Sequence, residues 1–247
     1  MRLAASVRKE WHQVARDPVG LLAALLAPFL IVWIFSTLDL AHGPSAGGAP
    51  SPVALILCLS IWLSSLTAAA TSLYRERTGG TLQRLAVTPF SPGMLVGTKA
   101  GVLCAIGLGQ ALVVWFSARM LLSQDLASAD DAAGILALFL LVFQTVALGM
   151  LFAALLRSPT QIANVVTLFT LAVITLCGFL KSVDSMGAMA PLARMLPFTL
   201  AYDAVGDIVS ARGLPMLTFL AMALEGVMFL LASGLALRFV GQTAKTG

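Results

Sequence analysis

Six apolar stretches, each long enough to cross a bilayer as a helix, lie at residues 18–38, 53–74, 95–118, 133–156, 162–180 and 216–237. A hydrocarbon core needs roughly 20 helical residues, and inside it every backbone polar group has to find its partner within the protein. Composition agrees, with 59% hydrophobic and 11% charged residues against roughly 45–50% and about 25% in soluble domains. The 247 residues leave no loop able to bury a core of its own. The expectation is an all-α membrane protein with one transmembrane domain over residues 1–247.

Lys and Arg fall unevenly on the two sides of the six stretches. With the N-terminus inside, eleven of the fifteen lie on the inner side, leaving Arg119, Lys181, Arg194 and Arg212 outside. This bias predicts cytoplasmic termini and accounts for the net charge of +4 without invoking nucleic acid. Before the first stretch, Leu3, Val7, Trp11 and Val14 recur at helical spacing among Arg2, Lys9, His12, Gln13 and Arg16. Residues 1–17 therefore read as an amphipathic helix lying on membrane lipid, or as a plain basic tail. Asp17 and Pro18 give a capping acid and a first-turn proline. The apolar run 18–38 exceeds the roughly 7–15 residues of a signal h-region, which predicts a retained helix.

Between the second and third stretches lies a basic insert, residues 75–92, punctuated by Gly and Pro. Gly79 and Gly80 interrupt the helix leaving the second span, Thr81 can cap a short helix from Leu82 to Val87, and Thr88 and Pro89 stop it. Ser91 and Pro92 then start the third span. Leu82, Leu85 and Ala86 share one face, with Gln83 and Arg84 turned elsewhere. A two-turn helix is marginal alone in water, so these residues are either a docking element or a basic loop serving topology.

Arg75, Glu76, Gly80, Thr81, Leu82, Leu85, Thr88 and Pro89 resemble the cytoplasmic signature of type-2 ATP-binding-cassette (ABC) exporter permeases. The resemblance extends over the basic interfacial helix, the six spans and the stretch from Cys177 to Val205. It implies that the insert is a coupling helix seated on an ATPase subunit, with Arg75, Glu76, Arg77, Gly80, Thr81, Leu82, Gln83, Arg84, Leu85, Thr88 and Pro89 forming the ATPase-coupling set. Gln83 departs from the glutamate that the family often carries. The short loop from Asp39 to Pro52 leaves no room for the extracellular domain of some relatives.

The segment 181–215 is too apolar for an exposed connector, yet Pro191, Pro197 and its charges exclude an ordinary span. From Thr199 onward, Ala201, Val205 and Ile208 fall on one face and Asp203 and Asp207 on another, as in an interfacial helix. The resemblance implies short re-entrant helices at the outer mouth. Cys177, Gly178, Pro197, Tyr202 and Asp203 are the candidate gate residues, with simple loop packing as the other reading.

Glu225 is the acidic residue deep in an apolar span, costly unless protonated, paired or facing water. Gln110 and Gln144, near the middle of spans three and four, are candidate hydrogen-bond partners. A structural bond between helices and a substrate or proton site both fit. Gly93, Gly97 and Gly101 repeat at four-residue spacing, which predicts close helix approach. Cys58, Cys104 and Cys177 lie in apolar segments as buried thiols, and His12 and His42 fall on opposite sides, so no metal site is expected. GMLVGTK, from Gly93 to Lys99, lacks the order of a phosphate-binding loop.

The expected function is the permease subunit of an ATP-driven exporter moving a hydrophobic or amphipathic, lipid-like or drug-like substrate. The resemblance implies a bacterial plasma membrane, two copies of a separate ATPase, a second six-span permease (identical or paralogous), and ATP and Mg held on the ATPase. The chain itself is expected to bind no cofactor and to be no enzyme. A proton-coupled secondary transporter using Glu225 is the alternative; it calls for repeated halves that the sequence lacks. An intramembrane lipid enzyme would need a cluster of catalytic groups.

Overall fold

The computed structural model describes residues 8, 11, 16, 18–37, 52–78, 92–122, 126, 129–156, 158–177 and 183–243, with the backbone alone described at 77, 92, 184, 185 and 238–243. Of the predicted interfacial helix only Arg8, Trp11 and Arg16 fall within this set; Arg8 and Trp11 are helical and all three are exposed.

Six long helices correspond to the six apolar stretches: α1 (Pro18–Thr37), α2 (Pro52–Thr78), α3 (Pro92–Leu121), α4 (Asp131–Leu155), α5 (Pro159–Leu176) and α8 (Met216–Thr243). Each is long and apolar enough to span a membrane. Between α5 and α8 the chain makes a 3-10 stretch (Val183–Met189), a short α6 (Ala190–Arg194) and α7 (Pro197–Val209). The described residues contain no strand.

Five of the six long helices, all but α1, extend past their apolar windows at one end or both. α2 continues to Thr78, so Arg75 and Glu76 belong to its last turns rather than to a connector. α3 begins at Pro92 instead of residue 95, as the first-turn proline suggests. α8 continues beyond residue 237 to Thr243. Hydropathy locates the part of a helix that suits lipid, not the place where its hydrogen-bond ladder ends.

Local signals set the other starts. The Asp130 carboxylate accepts from the backbone N–H groups of Ala132 at 2.9 Å and Ala133 at 3.3 Å, satisfying two of the orphan donors of α4. Ser158 accepts from Gln161 N–H at 3.1 Å with Pro159 in the first turn of α5. The α3–α4 turn is tied by Asp131 Oδ1, which accepts from Trp115 Nε1 at 2.7 Å and Arg119 Nε at 2.8 Å. Arg119 also donates to the carbonyls of Leu126 and Ala129.

α4 is the core helix, packed against α2, α3, α7 and α8, and most of its side chains are buried. Lipid is as apolar as leucine, so the helices gain from close packing rather than from leaving water. Gly149 illustrates the fit, because a Cβ there would lie 2.7 Å from the Leu66 carbonyl oxygen and 2.9 Å from Ala69 Cβ on α2. Gly226 stands likewise against the Phe143 ring. The predicted stripe behaves otherwise. Cβ atoms at Gly97 and Gly101 would meet nothing within 4 Å, since both are on the outward face of α3. Of the three, Gly93 alone has a close neighbour, 3.8 Å from the Cβ position of Gly234. Four-residue spacing puts residues on one face but does not say what that face meets.

Outward faces carry large apolar side chains, among them Met120, Leu168 and Leu217, the last 83% exposed. Such a surface would associate in water and is at home in acyl chains. This is a multi-pass membrane protein.

Candidate functional site

Three polar or aromatic constellations sit at three depths of the bundle. At the end where α2 stops and α3 begins, Glu76 and Lys99 form a buried ion pair. Lys99 Nζ lies 3.5 Å from Glu76 Oε1, with the side chains 4% and 8% exposed, and it donates to Ser72 Oγ at 3.2 Å. Ser72 and Glu76 are four residues apart on α2 and so share a face, which α3 covers. Arg75 is exposed on the same helix. Of the remaining coupling residues read from sequence, Gly80, Thr81, Leu82, Gln83, Arg84, Leu85, Thr88 and Pro89 lie outside the described residues, and Arg77 is described in its backbone only.

Near mid-depth, Gln144 on α4 and Glu225 on α8 meet: Gln144 Nε2 donates to Glu225 Oε2 at 2.8 Å. Gln144 is fully buried, and its Oε1 has no partner among the described residues. Gln110 does not join them. It faces α1 and α2, where Nε2 donates to the Ala24 carbonyl at 2.9 Å and Oε1 accepts from Ser65 Oγ at 3.0 Å. Shared depth offered either glutamine as a partner for Glu225; helix rotation gives it Gln144 and sends Gln110 to α1 and α2.

At the opposite end, α7 is held by aromatics. Trp62 on α2 stacks on Phe169 of α5 with centroids 5.9 Å apart and forms a T-shaped pair with Phe198 of α7 at 5.4 Å. Its indole N–H donates to Thr170 Oγ1 at 3.1 Å. Phe198 in turn stacks on Tyr202 at 6.5 Å. Pro197 and Tyr202 are buried. Cys177 is also buried, and its thiol donates to the Ile174 carbonyl. Burial pushes the Tyr202 phenol well above its ordinary pKa, and nearby Cys177, Cys58 and Asp203 add to the rise. Asp203 faces outward, and Gly178 lies outside the described residues. The amphipathic reading of α7 matches its burial: Ala201, Val205 and Ile208 point inward, while Asp203 is exposed and Asp207 half-buried.

Two features escaped the sequence reading. Lys99 counted only as a topology charge, although a lysine seven residues into an apolar helix needs a partner. Trp62 looked like any apolar residue of its span. A third emerges from exposure: α2 and α5 turn polar side chains outward. Thr67 and Thr71 on α2, and Asn164 and Thr167 on α5, are exposed. All four lie on the Glu76 side of the Trp62–Thr170 contact. The threonine hydroxyls of α2 bond back to their own helix, Thr67 to the Leu63 carbonyl and Thr71 to that of Thr67, which leaves Asn164 the more demanding group in lipid.

Among the described residues, no three His, Cys, Asp or Glu side chains gather to hold a metal ion.

Comparison with known proteins gives one family: the sequence profile of the ABC-2 type transporter matches residues 1–209. No curated protein matches the chain.

Proposed function

Because the chain belongs to the ABC-2 type transporter family, we propose that this membrane permease component of an ABC transporter works as the substrate-moving half of an exporter. Its cargo is amphipathic, lipid-like or drug-like, taken from the cytoplasm or the inner leaflet. Two copies of a separate ATPase supply the energy and hold ATP and Mg. Two six-span subunits, identical or paralogous, face each other in the bacterial plasma membrane with both termini cytoplasmic. On this reading the end carrying Glu76 is the inner one, and α7 lies at the outer mouth.

The observation that carries the proposal is the outward polar face of α2 and α5. Thr67 and Thr71 on α2, and Asn164, Thr167 and Thr175 on α5, are exposed beside outward Leu63, Leu168 and Leu171. Polar groups in a bilayer belong where they meet protein or water. Turned towards a second permease, these faces line a cleft whose walls mix hydroxyl, amide and leucine. Such a lining suits a molecule with both a polar and an apolar part, and a purely apolar lining would not.

ATP binding would draw the two coupling inserts together, shift the spans as bodies and free α7 from its aromatic seat, a two-state change biased by nucleotide. Cys177, Pro197 and Tyr202 then belong to the outer gate as the buried hinge between α5 and α7, and Asp203 as its exposed rim. Glu225 is accounted for by its bond to Gln144 and is asked to carry no proton.

The test is purification of the tagged chain from its native membrane in mild detergent, beside a Glu76→Ala, Leu85→Asp double variant. The proposal expects an ABC ATPase subunit with the wild type and its loss from the variant. Wild-type chain that is intact and folded but carries no ATPase would sink the exporter reading.

A further inference from the structure

A small cavity of about 230 Å³ lies where α4 and α8 begin, lined by Asp130, Ile208, Ala211, Gly213 and Leu214. Both helices are membrane spans whose first residues, Asp131 and Met216, follow these lining residues directly or after one more. The cavity is therefore at the depth where hydrocarbon ends and lipid headgroups begin. Drug-sized ligands occupy clefts of roughly 300–1,000 Å³, so this one admits a headgroup and not a whole molecule of that size.

Its walls are set in advance. On one side the Asp130 carboxylate is held by the N–H groups of Ala132 and Ala133, and both bonds fall on Oδ1. Oδ2 accepts no hydrogen bond among the described residues. On the other side, the turn between α7 and α8 is tied by the N–H groups of Ala211 and Arg212, which donate to the carbonyls of Ile208 at 3.1 Å and Asp207 at 2.9 Å. Ala211 stands at φ 52° and Gly213 at φ 118°, left-handed backbone that is costly for alanine.

The charges around the cavity are unevenly matched. Arg119 is spent on Asp131 and on the carbonyls of Leu126 and Ala129, and no described cation pairs with Asp130. Arg212 comes between two lining residues in the chain. It is exposed, and its Nη1 stands 3.7 Å from Asp207 Oδ1, beyond hydrogen-bond distance. An exposed pair of this kind holds its partners weakly, which leaves the guanidinium donors for another acceptor.

We propose that this cavity binds the headgroup of an amine-bearing phospholipid, whose primary ammonium donates to Asp130 Oδ2 and whose phosphate meets Arg212, with Ile208 and Leu214 against the apolar part. A primary ammonium brings N–H donors as well as charge to the open carboxylate oxygen; a trimethylated ammonium brings the charge alone. The site depends on the chain lying in a bilayer and not on the exporter reading. Its occupant joins the start of α4 to the turn that ends α7. That helix is then held at both ends, by Trp62 at Phe198 and by lipid at Ile208.

The test is native mass spectrometry of the purified chain in mild detergent, titrated with phosphatidylethanolamine or phosphatidylcholine of identical acyl chains. A hydrogen bond to a charged group is worth roughly tenfold or more in affinity. The wild type is accordingly expected to bind its first phosphatidylethanolamine about tenfold more tightly than its first phosphatidylcholine. Asp130→Asn removes the charge and keeps an equally good cap for α4; it is expected to hold the wild-type Tm and to bind the two lipids alike. Leu214→Trp, at an exposed position, fills the cavity without altering the carboxylate and is expected to lose the preference too. Asp207→Asn removes a carboxylate from the same end of the bundle, outside the cavity lining, and keeps the preference. Equal affinities in the wild type overturn the site, and so does a preference that survives in Asp130→Asn or in Leu214→Trp. Displacement of the lipid by free ethanolamine at matched concentration assigns the cavity to a soluble amine and overturns the lipid as its occupant.

Discussion

Gln144 donates from Nε2 to Glu225 Oε2 at 2.8 Å, joining the core helix α4 to the last span across 81 residues of chain. The amide is fully buried. Removing its partner leaves both of its polar atoms without one among the described residues, an unsatisfied group that costs about 1–3 kcal/mol. Glu225→Ala is therefore expected to lower stability by that amount. Glu225→Gln keeps a hydrogen-bonding group and is expected to stay within about 1 kcal/mol, the usual scale of interhelical bonds in membranes. Thermal unfolding in detergent measures both, and transport by Glu225→Gln at the wild-type level would agree with a structural bond.

Trp62 fastens α7 through two separable interactions. Trp62→Ala removes the ring that packs on Phe169 and Phe198, at an expected cost of about 3–5 kcal/mol. Trp62→Phe keeps an aromatic ring but loses the bond to Thr170, costing about 0.5–1.5 kcal/mol. Maleimide labelling of Cys177, buried in the wild type, is expected to rise sharply in Trp62→Ala and only slightly in Trp62→Phe. Equal labelling in all three would mean that the ring does not hold α7 closed.

Glycines with the same chemistry are expected to respond in opposite ways. Gly149→Ala drives a methyl group to within 2.7 Å of the Leu66 carbonyl and should force α2 and α4 apart, costing about 1–3 kcal/mol. Gly97→Ala and Gly101→Ala enter open space, so the folded subunit should be as stable as the wild type or slightly more so, because alanine is the better helix former. Unfolding temperatures of the three purified variants decide this.

Replacement of the outward polar groups separates transport from stability. Asn164→Leu and Thr71→Val alter exposed positions, where substitutions usually change stability by no more than about 0.5 kcal/mol. If these faces line the substrate path, both variants lose transport at an unchanged Tm. Of the two, Asn164→Leu is expected to lose more, since Thr71 spends its hydroxyl on its own helix. Uptake of an amphipathic dye into inverted vesicles containing the wild-type or variant complex measures the effect.

The six spans were legible because hydrophobicity in a bilayer is a local property: twenty apolar residues make a helix whatever their neighbours are. The helix starts at Pro18 and Pro92 and the face pattern from Ala201 to Ile208 were legible for the same reason, since first-turn prolines and amphipathic faces are written within one or two turns. The inward and outward faces of α7 agree with that reading residue by residue.

The pairings had to wait for the fold. Sequence placed Gln110, Gln144 and Glu225 at a common depth but could not give the rotation of each helix, and rotation sends Gln110 to Ser65 and Gln144 to Glu225. It showed that Gly97 and Gly101 share a face, whereas packing left that face open and brought α2 against Gly149 instead. Lys99 and Glu76 are 23 residues apart in the chain and fulfil each other only because α2 and α3 lie side by side. What each helix is was determined by short-range chemistry, and what each side chain meets was decided by how the helices turn towards one another.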